Sequence, residues 1–170
     1  LENLIMELED LTVGGIGVEG NRLKISNRAH IVLSIHKALD TLTGKKIGTT
    51  GQGIGDAYSS KALRDGVRVV DLIGEEVDWE KLRTIYNRYT RSLIGNSELT
   101  EIERAEILEK AYNKDVTLIE RSRDFLQRNS VNTAYYMNRS VLDNKTVIFE
   151  GANAIMLDID HGTYHFVTRS

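Results

Sequence analysis

Residues 78–143 constrain the fold more than any other stretch, because apolar residues there recur at spacings of three and four. Trp79, Leu82, Tyr86, Tyr89 and Leu93 form one stripe behind Asp78, a plausible N-cap. Thr100-x-x-Glu103 is a capping box, in which hydroxyl and carboxylate each satisfy a backbone N–H of the other residue. It opens a second helix with the stripe Ile102, Ala105, Leu108, Tyr112, Val116 and Ile119. A third helix is predicted from about Val131 to Leu142. Tyr86, Tyr89 and the Tyr135-Tyr136 pair are expected in the core or between helices, since aromatic rings dominate buried area.

Upstream, Leu4, Ile5, Leu8 and Leu11 repeat at helical spacing until the Gly14-Gly15-Ile16-Gly17 cluster. Leu23 to Ser26 reads as a short strand after the Gly20-Asn21 turn. Asn27 is placed to cap a helix running through His30, Leu33, His36 and Leu39 to about Leu42, with a strand start at Ile31-Val32-Leu33 as the alternative. A short helix is predicted from Asp56 to about Arg64. The β-branched run at 146–149 reads as a buried parallel strand that hands over to a functional loop at Glu150-Gly151. Helices between strands describe an α/β protein, here a fragment of a mostly parallel sheet flanked by helices and helix-rich in its middle. There are too few strands for a whole sheet, and no internal repeat or interdomain linker is visible.

With 41% hydrophobic and 28% charged residues in 170, the chain can bury a real core as one domain. A net charge of −3, with scattered basic residues, argues against a nucleic-acid surface, which needs a concentrated positive footprint. The absence of cysteine excludes a disulfide scaffold and any Cys-ligated zinc, and fits a reducing, cytoplasmic compartment. No apolar stretch is long enough to span a bilayer, and residues 1–11 lack the pattern of a signal peptide. The two sequons at Asn138 and Asn144 read as chance matches in such a chain. Proline is absent altogether, where about eight or nine would be usual in a chain of this length.

The densest chemical signal is Gly48-Thr49-Thr50-Gly51-Gln52-Gly53-Ile54-Gly55, followed by Tyr58, Lys61 and Arg64. Clustered glycines let main-chain N–H groups face a ligand, threonine hydroxyls add donors, and a helix start adds a favourable dipole. Lys61 and Arg64, three apart, share a helix face, so hydroxyls, backbone donors and a cation are expected to converge on phosphate. The run is neither G-x-G-x-x-G nor a P-loop, since Ile54 and Gly55 stand where Lys and Ser/Thr would follow. A flexible connector is the plain alternative. In the second dense segment, 150–168, Asp158, Asp160, His161 and His165 can be read as a metal cluster of an unrelated hydrolase. Gly162 and Thr163 oppose the continuous helix such a histidine pair needs, and Asp158 and Asp160 are better suited to fixing the loop through side-chain to backbone bonds. His30 and His36 are expected to be packed or solvated.

Taken together, the two segments resemble the adenylosuccinate synthetase family. The pattern I-G-T-T-x-x-G-I-G-P-x-Y-x-x-K-x-x-R corresponds to Ile47 through Arg64, and E-G-A-(Q/N)-x-x-x-L-D-I-D-x-G-T-Y-P-x-V-T-S-S to Glu150 through Ser170. Asn27-Arg28-Ala29-His30 with His36 and Asp40, and Val67-Arg68-Val69 with Asp71-Leu72, extend the likeness, which covers nearly the whole chain. The resemblance implies a P-loop-NTPase-like fold and a ligase that uses GTP and Mg²⁺ to join IMP to L-aspartate on the route to AMP. GTP would phosphorylate the 6-oxygen of IMP, and the aspartate amine would displace that phosphate.

By position, Thr50 and Thr168 would bind the IMP phosphate, and Asn153, more like eukaryotic members than bacterial ones, would contact IMP. Gly48, Thr49, Gly51 and Gly53 would support the loop. Arg64 would reach the nucleotide of a partner subunit, implying a homodimer. No catalytic residue is expected in this segment, Lys61 being the one position where a catalytic part stays open, and no metal ligand is assigned. Asp56 and His165 stand where the family has proline, and Arg169 where it has serine. Loss of both prolines frees φ beside the loops and predicts a less preorganised, weaker site. The family's G-D-E-G-K-G phosphate loop does not occur in 1–170, so the expectation is a central segment, lacking the N-terminal phosphate loop and C-terminal GTP- and aspartate-binding parts and inactive alone. The alternative is a non-catalytic remnant that binds nucleotide or dimerises.

Overall fold

The computed structural model describes residues 1–18, 20, 22–43, 49–94, 99–151, 154–164 and 167–168. They divide into two compact units. The first comprises Leu1–Ala29, Arg68–Asp78 and Thr117–Phe149, and the second His30–Val67, Trp79–Val116 and Glu150–Ser170.

The first unit opens with helix α1 (Glu2–Val13), ended by Gly14 as the glycine cluster predicts. Strand β1 (Ile25–Ser26) pairs in parallel with β2 (Ser130–Val131), Ile25 opposite Ser130 and Ser26 opposite Val131. A parallel pair made from strands more than a hundred residues apart is the α/β signature, helix-rich with a small parallel sheet. Helix α4 (Val69–Ile73) is tied to the end of β1 by Val70 N–H donating to Asn27 O at 2.8 Å and Val69 N–H donating to Ala29 O at 2.9 Å. Its own start is fixed by Arg68 N–H donating to Asp71 Oδ2. The C-terminal carbonyls of α4, which a helix leaves without internal donors, are served by helix α6 (Glu101–Asn129). Arg123 donates to Leu72 O, Gly74 O and Glu75 O, and Gln127 to Ile73 O. Leu72, Val69, Ile119 and Leu126 are buried in this unit. Helix α7 (Thr133–Leu142) starts on an Asn132 cap that accepts from Tyr135 N–H.

The second unit contains α2 (Ser34–Thr43), α3 (Ile54–Leu63), α5 (Trp79–Ile94) and the first half of α6. Helix α2 packs against α3 and α5. Leu33, Ile35, Leu82, Ile85 and Leu93 are buried at 1% exposure or less, which places the apolar stripe of α5 in the core as its spacing predicts. The Thr100–Glu103 capping box forms, with Glu103 N–H on Thr100 Oγ1 and Thr100 N–H on Glu103 Oε2, a bond that holds the Glu103 carboxyl below its usual range. Asp115 lies buried under α2 and accepts from Ser34 N–H, Ser34 Oγ at 2.7 Å and Tyr86 Oη at 2.7 Å. Burial nevertheless pushes its carboxyl pKa up.

Three expectations are corrected. Asn27 does not cap α2, because its N–H donates to Val131 O and its C=O is taken by Val70, so its backbone belongs to the sheet end. The chain stays extended through 31–33, and α2 begins at Ser34, where His36 Nδ1 accepts Leu33 N–H in the manner of a capping-box side chain. The run at 146–149 takes no part in the parallel pair, and Ile148 and Phe149 are 88% and 84% exposed. A β-branched run becomes a buried strand only when a neighbour offers its own N–H and C=O groups. Tyr135 and Tyr136 are exposed on α7, while Tyr86 and Tyr89 are buried as anticipated.

Candidate functional site

The glycine loop enters α3 through two left-handed residues, Gly51 at φ +70° and Gly53 at φ +72°. Gly53 N–H donates to Asp40 Oδ2 at 2.9 Å, and Gly53 O accepts Ala57 N–H at 3.1 Å, so one residue is fixed both to α2 and to the first turn of α3. The backbone lies so close to α2 that a Cβ on Gly53 would sit 2.6 Å from Lys37 N and 2.7 Å from His36 C. Thr49 and Thr50 are exposed just ahead of this anchor. The site thus has two exposed threonines ahead of a helix N-terminus whose leading N–H groups have no intrahelical acceptor. Gly48 lies outside the described residues.

Lys61 and Arg64 lie toward the other end of α3. The helix is ten residues long, about 15 Å at 1.5 Å per residue, and Arg64 is its C-cap at φ +66°. Both cations are exposed, and Lys61 Nζ stands 5.5 Å from the centre of the Tyr58 ring. Within one chain the length of α3 thus separates its N-terminus, which the threonine loop leads into, from Arg64 at its far end. The reason is axial rise: residues sharing a helix face still separate along its length.

Beneath α3 runs a buried polar chain. His36 is 1% exposed and neutral, its Nδ1 accepting Leu33 N–H, so Nε2 carries the proton toward Ser60 Oγ at 3.3 Å. Ser60 Oγ also accepts from Arg88 Nη2 at 2.7 Å and lies 3.0 Å from Tyr89 Oη, which donates to Asp56 O. Burial first, and the Arg88 charge second, lower the His36 pKa from 6.5 to about 3. Burial likewise raises that of Tyr89. His36 is thus the packed histidine expected for this position.

In the second segment, a 3₁₀ turn at Ile155–Leu157 leads into a tight loop closed on Asp158. Asp158 Oδ1 accepts from Asp160 N–H and His161 N–H, which hold its carboxyl below the usual range. The loop folds back through Thr163 N–H to Met156 O and Thr168 N–H to Leu157 O at 2.8 Å. A Cβ on Gly162 would come within 2.4 Å of Asp158 O and Met156 O, so only glycine fits there. Thr168 is half-buried in this segment, whereas Asn153 and His165 lie outside the described residues. Asp158 fixes the loop, as expected of it. Among the described residues no three His, Cys, Asp or Glu side chains gather as a metal-binding group.

Against this geometry, the family model described as adenylosuccinate synthetase matches residues 1–170. The chain belongs to the adenylosuccinate synthetase family. It is 40% identical over 174 residues to the adenylosuccinate synthetase of Lactococcus lactis subsp. lactis, covering 99% of this chain and 38% of that protein. It is 38% identical over 175 residues to that of Lachancea thermotolerans, covering 96% of this chain and 38% of that one. The fully ligated adenylosuccinate synthetase structure from Plasmodium falciparum superposes with a TM-score of 0.72 at 36% identity, over 99% of this chain and 38% of that one. The chain thus spans a little over a third of the length of these adenylosuccinate synthetases.

Sequence reasoning missed the residues that hold the site. Asp40 lies in the stretch with His36 that resembles the family, yet nothing there assigns it to Gly53, while Ser60 at the hub of the buried chain and Arg88 with Asp65 fall at no motif position. One signal was available for Asp40, which follows His36 by four and so shares its face of α2.

Proposed function

We propose that this chain supplies the IMP-binding segment of an adenylosuccinate synthetase, with the Thr49-Thr50 loop holding the IMP phosphate. The observation that carries this is the anchoring of Gly53 by Asp40 at the start of α3, which presents exposed threonine hydroxyls at a helix N-terminus. Thr168 and Asn153 complete the binding groups, and Lys61 stays an auxiliary cation of the same signature. The roughly 15 Å length of α3 supports a homodimer: a phosphate at Thr50 meets the Arg64 of a second chain, since its own stands at the far helix end.

The complete enzyme joins IMP and L-aspartate with GTP and Mg²⁺, in the cytoplasm. The residues present here do not fit Mg²⁺-GTP. The glycine loop continues with Ile54 and Gly55 instead of Lys and Ser/Thr, and the described acidic side chains form no metal group. No step of phosphoryl transfer is assigned to this chain, which contributes binding alone. No described helix is long and apolar enough to cross a membrane.

IMP at millimolar concentration is expected to raise the melting temperature of the chain, and Thr50→Ala and Arg64→Ala are each expected to abolish the shift. A folded sample that IMP does not stabilise overturns the proposal. Retention of the shift by both variants places the nucleotide elsewhere.

A further inference from the structure

The C-terminal end of α3 is held by a device that the phosphate loop does not use. Arg64 occupies the left-handed region at φ +66°, ψ 22°, a conformation unfavourable for a non-glycine residue that persists where its surroundings impose it. Two backbone bonds close the turn behind it, Asp65 N–H and Gly66 N–H both donating to Ser60 O at 3.2 and 3.1 Å. The side chains then lock it. Arg88 of α5 donates one guanidinium nitrogen to Asp65 Oδ2 and the other to Ser60 Oγ, while its plane lies 4.5 Å from the centre of the Tyr89 ring. Asp65 Oδ1 is buried with no hydrogen-bond partner among the described residues, so the anchoring of that carboxylate falls on Arg88. The following residue is seated as well: a Cβ on Gly66 would lie 2.9 Å from His30 Nδ1.

We propose that Arg88 is a positioning residue for Arg64. Its guanidinium bridges Ser60, four residues before Arg64, and Asp65, one residue after it, and so imposes the left-handed exit that aims the Arg64 side chain out of the helix end. The fork geometry matters, because a single ammonium cannot span both acceptors in one plane. This inference rests on the proposal that Arg64 meets the phosphate of IMP in a partner chain.

A double-mutant cycle on the full chain tests it, with IMP affinity measured by calorimetry for the parent, Arg64→Ala, Arg88→Gln and the double variant. Arg88→Gln is expected to weaken IMP about tenfold, Arg88→Lys to recover only part of that, and the double variant to bind no more weakly than Arg64→Ala alone. Additive losses overturn the proposal, because Arg88 then acts through the core or the glycine loop. If Arg64→Ala leaves IMP affinity unchanged, the assignment of Arg64 itself falls, and the positioning role falls with it. Should Arg88→Gln fail to fold, Asp65→Asn takes its place in the cycle with the same expected non-additivity. Hydrogen exchange gives a ligand-free readout. The amides of Asp65 and Gly66 are expected to exchange about tenfold faster in Arg88→Gln while those within α5 do not change, and equal protection in both proteins overturns the proposal.

Discussion

Acidification from pH 7 to pH 4 is expected to remove about 3 kcal/mol of stability from the unit built on α2, α3 and α5 through His36 alone. Burial and the Arg88 charge hold the folded imidazole at a pKa of about 3, against 6.5 in the unfolded chain. Between those values the unfolded state binds a proton that the folded state refuses. The stabilisation is therefore fully present above 6.5 and drains as pH falls toward 3, at about 1.4 kcal/mol for each pH unit. The groups facing the ring, Ser60 Oγ, the Tyr89 ring edge and the Arg88 guanidinium, include no carboxylate to welcome an imidazolium. Asp115 contributes with the opposite sign, since burial raises its pKa and the folded state holds its proton more tightly. Urea denaturation at stepped pH should show a stability slope that differs by one proton between the parent chain and His36→Gln. Equal slopes in the two proteins would locate the acid sensitivity in other groups.

Gly53→Ala is expected to destabilise the chain by roughly 2–4 kcal/mol and to eliminate IMP binding. Two effects add at this residue. The left-handed φ of +72° costs a Cβ-bearing residue about 1 kcal/mol, and the new methyl would stand 2.6 Å from Lys37 N, a backbone atom that moves only if α2 moves. The displacement also pulls Gly53 N–H from Asp40 and tilts the start of α3. Gly51→Ala is the matched control, for it shares a φ of +70° while its nearest neighbour, Thr41 Oγ1, is 3.6 Å away. Only the conformational term of about 1 kcal/mol is expected there. Chemical denaturation of the pair separates crowding from dihedral strain, and stabilities within about 0.5 kcal/mol of each other would remove the crowding argument.

The contrast between those two glycines shows where sequence reading reached its limit. Both belong to the same motif, and both are recognisable as residues that free the backbone, yet the close approach to α2 belongs to Gly53 alone. Nothing within the motif says which glycine faces another helix. The same holds for Ser60 and Arg88, which are 28 residues apart in the chain and in contact at 2.7 Å. Serine and arginine on helices are unremarkable in a periodicity argument, and their meeting depends on how α3 and α5 cross. The start of α2 was misplaced for a related reason: Asn27 has the side chain of a helix cap, but its backbone groups were claimed by Val131 and Val70 from distant parts of the chain.

By itself the sequence determined the helices of 78–143, the Thr100 capping box, a short strand ending at Ser26, the family, and the two loops that carry its motifs. These follow from local periods, caps and motif spacing, which act over one to a few helical turns. Only the tertiary structure decided that Gly53 is pinned to Asp40, that His36 is buried and neutral, and that Arg88 meets both Ser60 and Asp65. Each of these is a hydrogen bond or a close approach between elements, and such contacts are set by packing across the chain instead of by the order of residues along it.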